Sequence, residues 1–482
     1  GPYWAQIRWS HWVSTDMVHW EYVKEAVVPT RGICPDGVWT GGAVIGPDGT
    51  PWLVITAGTT TTSHSGQNIA FAHCVDPTDP YLTEWVVEDT VAIMQEPGMG
   101  EQNQFRDPFI WKDDGVYYMM IGSGYDGTSG GALMYTSEDM RDWEYHGYVF
   151  QSTAGEAGIH WECIQLLPIS TRDGSMQKYV FFLTPQYAEE SRTVECYYWI
   201  GTFDKASKRF VPDAGYEAPR LLDYGYGIFT GQTGFSYLTE EDATAGKTYE
   251  QGRTILFAIA QGKEPGTTHN YYSGWAHNAS LPMELYLSDD GTSIAMEPIE
   301  ELHTLRTQTV YASETAMTAE EANAAIGQLR GDSFEIRMKL SLSDTAETYS
   351  AGLYVRFNPY TNSLNQTERT GIVFGSNGVY IDRSQTSLYV MGLGNSHVWD
   401  NTAGEFDVVV YMDRSMLEVY VNGTVSFTSR MYPKYEDSDY LRFFAEGCML
   451  TVSDLTIYTL GSAYSDTVTP AYYGNTGSIQ NA

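Results

Sequence analysis

The sequence predicts an all-β protein, a β-propeller followed by a C-terminal β-sandwich, and three observations carry that prediction. The first is a repeat: Ser14-Thr15-Asp16-Met17-Val18-His19-Trp20 returns as Ser137-Glu138-Asp139-Met140-Arg141-Asp142-Trp143. A looser copy runs from Asp76 to Trp85, and Thr202-Phe203-Asp204 through Phe210 holds a similar place later. Repeats every few tens of residues, each built from short strands and turns, belong to stacked or radial β-units. The second observation is strict alternation late in the chain, where Phe334, Ile336, Met338, Leu340 and Leu342 alternate with Glu335, Arg337, Lys339 and Ser341. That is the period of a strand with one wet face. The third is composition: 14% of residues are aromatic, with 36 Tyr and 13 Trp, a mixture that favours β-structure and sugar-stacking surfaces.

Taken in order, residues 1–305 read as the propeller, with its first blade incomplete at the N-terminus. Short apolar runs such as Gly115 to Gly122, Lys178 to Leu183 and Thr254 to Ala260 are bounded by Gly, Asp and Pro, as strands joined by turns are. Residues 306–330 read as a linker with a short helix, opened by Thr318 as cap with Glu320 and Glu321 in the first turn. Residues 331–460 read as the sandwich, where Leu353, Val355 and Phe357, and later Leu417, Val419 and Val421, repeat the alternation. Residues 461–482, rich in Gly, Ser, Thr and Tyr without periodicity, read as a tail or linker. A length of 482 residues suits two such domains, each with its own core.

A formal charge of −34 argues against nucleic acid or an anionic membrane as partner, since both repel such a surface. A neutral ligand is indifferent to it. The five cysteines, Cys34, Cys74, Cys163, Cys196 and Cys448, are widely spaced with no C-x-x-C pair, and they read as mainly free, buried thiols. No metal site and no cofactor is expected. No apolar run reaches the roughly 18 residues that a membrane span needs, so no membrane insertion is expected. The first residues, Gly1-Pro2-Tyr3-Trp4, lack an initiator Met and enter directly into a patterned segment, which reads as an upstream end removed. An extracellular or cell-surface location is expected; nothing in the sequence speaks to oligomeric state. Asn365-Gln366-Thr367 and Asn422-Gly423-Thr424 are acceptor sequons, relevant only in a eukaryotic host.

Chemistry is concentrated in Gln104-Phe105-Arg106-Asp107-Pro108-Phe109-Ile110-Trp111 and His160-Trp161-Glu162-Cys163. Two carboxylates in aromatic strand-and-turn surroundings, one beside arginine and one beside tryptophan and cysteine, are parts that sugar-bond cleavage needs. Arg-Asp-Pro alone is also a common turn with a local ion pair. Five further segments accompany it in order: Trp4 through Trp20, Trp39-Thr40-Gly41-Gly42-Ala43, Leu222-Asp223-Tyr224-Gly225 with Gln232, Gly274-Trp275-Ala276 leading to Leu281-Pro282-Met283-Glu284-Leu285, and Asp413 through Gly423. Together the seven motifs resemble those of glycoside hydrolase family 32, the fructan hydrolases and invertases, over nearly the whole chain.

The resemblance implies a catalytic five-bladed propeller with a funnel-shaped axial site, and retaining cleavage of β-fructofuranosyl linkages in inulin, levan or sucrose, with possible transfructosylation. An oligo- or polysaccharide is the implied partner. Glu162 is implied as general acid and later base, needing a raised pKa in a dry setting beside Trp161 and Cys163. Asp107 is implied as transition-state stabiliser, with Arg106 keeping it ionised. Arg106, Trp39, Thr40, Cys163, Tyr224, Gln232, Trp9 and Trp275 are implied substrate contacts, and Trp12 is a further aromatic candidate.

Two departures qualify the resemblance. The family's nucleophile is the Asp of a W-M-N-D-P-N-G motif some tens of residues before the first matched segment, and no N-D-P occurs in this chain. The expectation is an incomplete sequence, so that residues 1–482 alone hydrolyse neither fructan nor sucrose. Ile164-Gln165 replaces the Pro-Asp that many members carry after Glu-Cys, which leaves the preference between sucrose and polymer open. A dedicated fructosyltransferase and a non-catalytic fructan- or sucrose-binding protein are the competing readings. Inverting propeller enzymes acting on arabinose-containing polymers are a weaker one.

Overall fold

A computed structural model describes residues 7–59, 66–189, 192–262, 276–388, 394–401 and 403–464. The N-terminal part is a five-bladed propeller. A two-stranded sheet, β1 (Trp9–Val13) and β2 (Glu21–Val27), comes first. A four-stranded blade follows, β3 (Gly37–Ile45), β4 (Pro51–Gly58), β5 (Gln67–Cys74) and β6 (Trp85–Val87). The next consists of β7 (Arg106–Asp113), β8 (Val116–Tyr125), β9 (Ser129–Ser137) and β10 (Glu144–Ser152). Its neighbour, β11 (His160–Ser170), β12 (Gln177–Gln186), β13 (Tyr197–Asp204) and β14 (Arg209–Pro212), joins it through one residue pair, His160 opposite Gly124. Strand β15 (Arg220–Leu221) adds to β13. The last blade is β16 (Phe229–Tyr237), β17 (Arg253–Gln261), β19 (Met283–Leu287) and β20 (Ile294–Pro298), with the short β18 (His277–Ala279) on β17.

The repeats read from the sequence are one device used over again, the turn between the two outer strands of a blade. Asp16 accepts from the N–H groups of Val18 and His19 between β1 and β2. Asp139 does the same for Arg141 and Asp142 between β9 and β10. In both turns the methionine is left-handed, with φ of 60° at Met17 and 62° at Met140. The looser copies at Asp76 and Asp204 bind Thr78 and Ala206 in the same fashion, between β5 and β6 and between β13 and β14. A short polar side chain that bonds two residues on reproduces a turn without help from the core, which is why this pattern is legible locally.

The sandwich has two sheets. One contains β21 (Arg306–Ser313), β22 (Met317–Thr318), β23 (Ser333–Ser343), β27 (Glu405–Asp413), β28 (Met416–Val421), β29 (Val425–Arg430) and β31 (Met449–Leu460). The other contains β24 (Ser350–Phe357), β25 (Thr370–Gly375), β26 (Gly378–Asp382) and β30 (Tyr440–Glu446). Phe334, Ile336, Met338 and Leu340 are buried between them, as the alternation requires. Residues 306–330, read from the sequence as a linker with a short helix, are part of this domain. Strand β21 pairs along β31, and the helix Ala319–Ile326 buries Ala322 and Ile326 in the sandwich core. Thr318 caps that helix reciprocally with Glu321, an arrangement whose loss costs about 1 kcal/mol. The wet face of β23 is drier than alternation suggested: Glu335 is fully buried and held by Arg306 and Arg337, each at 2.6 Å.

The domains are locked by buried polar groups. Asp223 accepts from Ser426 Oγ at 2.7 Å, Thr428 Oγ1 at 2.9 Å and Thr428 N at 3.0 Å. Glu418 accepts from Leu281 N at 2.9 Å, and Arg430 donates to the carbonyls of Gln261 and Ala260. All five cysteines are free; Cys34, Cys74 and Cys196 are buried, Cys163 and Cys448 half-buried. Among the described residues no helix is long and apolar enough to cross a membrane.

Candidate active site

The inner strand of each four-stranded blade carries an irregularity at the same place. Register slips between Trp39 and Gly41 in β3, Arg106 and Phe109 in β7, Glu162 and Gln165 in β11, and Thr230 and Thr233 in β16. A β-bulge adds a residue, turns a side chain out of the pleat and frees backbone groups. Asp107, Cys163 and Gly231 take left-handed backbone at three of these bulges, with φ of 57°, 48° and 57°. For a cysteine that conformation is uncommon and is held by its surroundings. Pro108 suits its position, because a bulge in an inner strand needs no N–H from that residue.

The freed groups bind one blade to the next. Thr56 Oγ1 donates to Thr40 O at 2.8 Å and accepts from Asp107 N at 2.8 Å. Asp107 Oδ2 accepts from Cys163 N at 2.9 Å. Cys163 O accepts from Gln232 Nε2 at 2.7 Å. Thr184 Oγ1 donates to Gln232 Oε1 at 2.7 Å and accepts from Gly231 N at 3.1 Å. A chain of hydrogen bonds therefore runs through four blades around the axis and fixes Asp107 and Glu162 on adjacent inner strands.

Arg106 is buried and bonded through Nε and Nη1. Its Nε donates to Glu162 Oε1 at 2.9 Å, and Nη1 donates to Gln67 Oε1 at 3.1 Å and Gln104 Oε1 at 2.5 Å. Asp107 is only 7% exposed, whereas the Glu162 side chain is 27% exposed. Burial and the nearby Glu162 charge push the Asp107 carboxyl up, to about 6, against the pull of Arg106 and the Cys163 N–H. Arg106 pulls Asp107 toward ionisation as expected but bonds Glu162, and the dry position belongs to Asp107. The reason is strand alternation: Trp161 points away from Glu162 into the blade core, where its Nε1 donates to Ala157 O and its ring meets Phe150, Phe181 and Trp199. Burial and the two carboxylates hold the Cys163 thiol well above its ordinary range, so it stays neutral.

Of the other expected contacts, Thr40 is exposed beside the Asp107 network. Trp39 is half-buried against Gly37 and Gly58, where a Cβ would come within 2.9 and 2.8 Å of its Nε1. Trp9 stands behind it, donating from Nε1 to Trp39 O at 3.0 Å. Trp12 lies apart, against Tyr22 and Tyr464. Gln232 reaches the site but is buried, with both ends of its amide bound to protein. Tyr224 is a correction: it packs on Phe427, and its backbone bonds Ser426 and His397, so its motif serves domain docking and not the axis. Trp275 lies outside the described residues.

Sequence reasoning missed Thr56, Thr184, Gln67 and Gln104. The threonines had a signal, a hydroxyl inside the apolar runs Leu53 to Ala57 and Phe181 to Thr184. The glutamines had none, because their role depends on which loops the propeller brings to Arg106.

Two family models match the chain, the glycosyl hydrolases family 32 N-terminal domain over residues 1–298 and the glycosyl hydrolases family 32 C terminal over residues 301–459. A fructan 1-exohydrolase from Triticum urartu is 31% identical over 349 residues, 70% of this chain and 53% of that protein. A β-fructofuranosidase, insoluble isoenzyme 3, from Oryza sativa subsp. indica is 29% identical over 332 residues, 65% of this chain and 53% of that protein. The matched stretch thus spans about half the length of these relatives. Among solved structures, fructan 1-exohydrolase IIa from Cichorium intybus is similar with a TM-score of 0.78 at 20% identity, covering 96% of this chain and 91% of that one. A Bombyx mori β-fructofuranosidase gives 0.69 at 23% identity, covering 96% and 87%.

Proposed function

Because the chain belongs to glycoside hydrolase family 32, we propose that it takes part in retaining cleavage of β-fructofuranosyl linkages, in fructans such as inulin or levan or in sucrose. The observation that carries this reading is the pair of carboxylates on adjacent inner strands, one enclosed and one open to the mouth, with Arg106 between the open one and two glutamines. Glu162 is the group that gives its proton to the departing oxygen. The exposed part of its side chain is where a departing oxygen can reach it. Asp107 accepts hydrogen bonds from fructosyl hydroxyls that strengthen as the ring flattens toward an oxocarbenium ion.

Retention also needs a carboxylate that attacks the anomeric carbon, roughly 5 Å from the acid. With Glu162 as the acid and Asp107 as the transition-state stabiliser, the attacking group is a third carboxylate. The acidic surface suits an extracellular or cell-surface setting and a neutral oligosaccharide substrate.

The test is Glu162→Gln in the full-length protein, assayed with sucrose and an inulin-type oligosaccharide, with free fructose followed by chromatography. Turnover is expected to fall by about 10²–10⁴ while substrate affinity is largely kept. Equal activity in parent and variant would remove Glu162 from the mechanism.

A further inference from the structure

His160 stands two residues before Glu162 on β11. The register over this stretch is regular, with His160 opposite Gln186, Trp161 opposite Pro185 and Glu162 opposite Thr184. Alternation places His160 and Glu162 on one face of the strand and the buried Trp161 on the other. Their Cα positions are about 7 Å apart along the strand. Past Glu162 the strand runs into buried Ile164, Gln165 and Leu166, whereas His160 is its first residue and keeps a partly exposed side chain.

The imidazole is fixed and half committed. It lies over Gly124, where a Cβ would come within 2.5 Å of Cδ2, and its Nε2 meets Glu101 Oε1 at 2.9 Å. Glu101 is itself held, accepting from Gly127 N at 2.7 Å and donating from its own N–H to Ser123 Oγ at 3.1 Å. A carboxylate only accepts, so Nε2 donates in this pair and Nδ1 is the ring's remaining polar atom. Among the described residues Nδ1 has no protein partner, and the side chain is 14% exposed. An oriented polar atom of this kind, in reach of solvent on the same strand face as Glu162, matches a sugar hydroxyl, which can donate or accept.

We infer that the Glu101–His160 pair forms the subsite for the leaving group, binding a hydroxyl of the sugar whose bridging oxygen Glu162 protonates. The inference rests on the function proposed above. The Asp107 and Arg106 side of Glu162 is assigned to the fructosyl ring, and His160, on the same strand face as Glu162, to the second sugar.

The full-length protein is assayed for kcat/KM on sucrose and on methyl β-D-fructofuranoside, whose methyl group offers no hydroxyl. In His160→Ala the sucrose-to-methyl ratio is expected to fall about tenfold, the order of one lost hydrogen bond in an enclosed site. His160→Asn, whose amide keeps a polar atom at the Nδ1 position, is expected to recover most of the ratio. An unaltered ratio in His160→Ala, whether both substrates decline together or neither does, overturns the subsite and leaves His160 a structural residue. A parent protein that cleaves neither substrate overturns the fructosidase reading itself, and the subsite with it.

Discussion

Asp107 shows how a single residue can be legible in type while its electrostatic surroundings are not. Its place in Arg106-Asp107-Pro108 singled it out, but the sequence could not say that Arg106 would turn to Glu162, because that depends on a bulge 56 residues away. Its ionisation opposes folding. The folded-state carboxyl lies above the unfolded value of 3.8, so the native state holds its proton longer, and stability falls as pH rises between about 4 and about 6. Asp107→Asn removes that penalty while its amide oxygen can still accept from Cys163 N. The variant is expected to melt higher than the parent at pH 7, by up to about 3 kcal/mol, and to match it near pH 4. Its turnover is expected to drop at both. Thermal melts across that range check the sign; a variant less stable at pH 7 than at pH 4, relative to parent, would show that Asp107 is ionised at no cost.

At the scale of elements, the sequence disclosed turns better than bulges. The two Ser-x-Asp-Met turns and their looser copies at Asp76 and Asp204 bond within themselves, so they could be found by eye; a further relative at Ser288 and Asp290, between β19 and β20, was not singled out. The bulges of β3, β7, β11 and β16 are fixed by partners in the neighbouring blade, and their residues, Thr40, Asp107, Cys163 and Gly231, share no type. Thr56 is the simplest link to break. Thr56→Val keeps the size and removes the acceptor for Asp107 N–H, which is buried. A cost of about 1–3 kcal/mol is expected, with a fall in turnover, and Thr56→Ser is expected to restore both. If urea titration and activity both show Thr56→Val to be neutral, the inter-blade chain does not hold the site.

For the whole molecule, the fold class was legible because propeller turns and sandwich alternation are separate local signals. The docking between domains was not, since Asp223, Glu418 and Arg430 look like ordinary strand and turn residues until both domains are in place. Asp223→Ala strands the buried donors of Ser426 and Thr428 and is expected to cost about 3 kcal/mol, splitting calorimetric unfolding into two transitions. A single unshifted transition would mean that apolar contact alone couples the domains. The central claim also lives at this scale: separate blades bring Glu162 to the mouth of the axis as the acid that protonates a leaving oxygen. The most direct measurement compares sucrose with β-fructofuranosyl fluoride, whose leaving group needs no proton, in full-length parent and Glu162→Gln. The variant is expected to lose orders of magnitude on sucrose and to be largely spared on the fluoride. Equal losses on both substrates, or none on either, would contradict the claim.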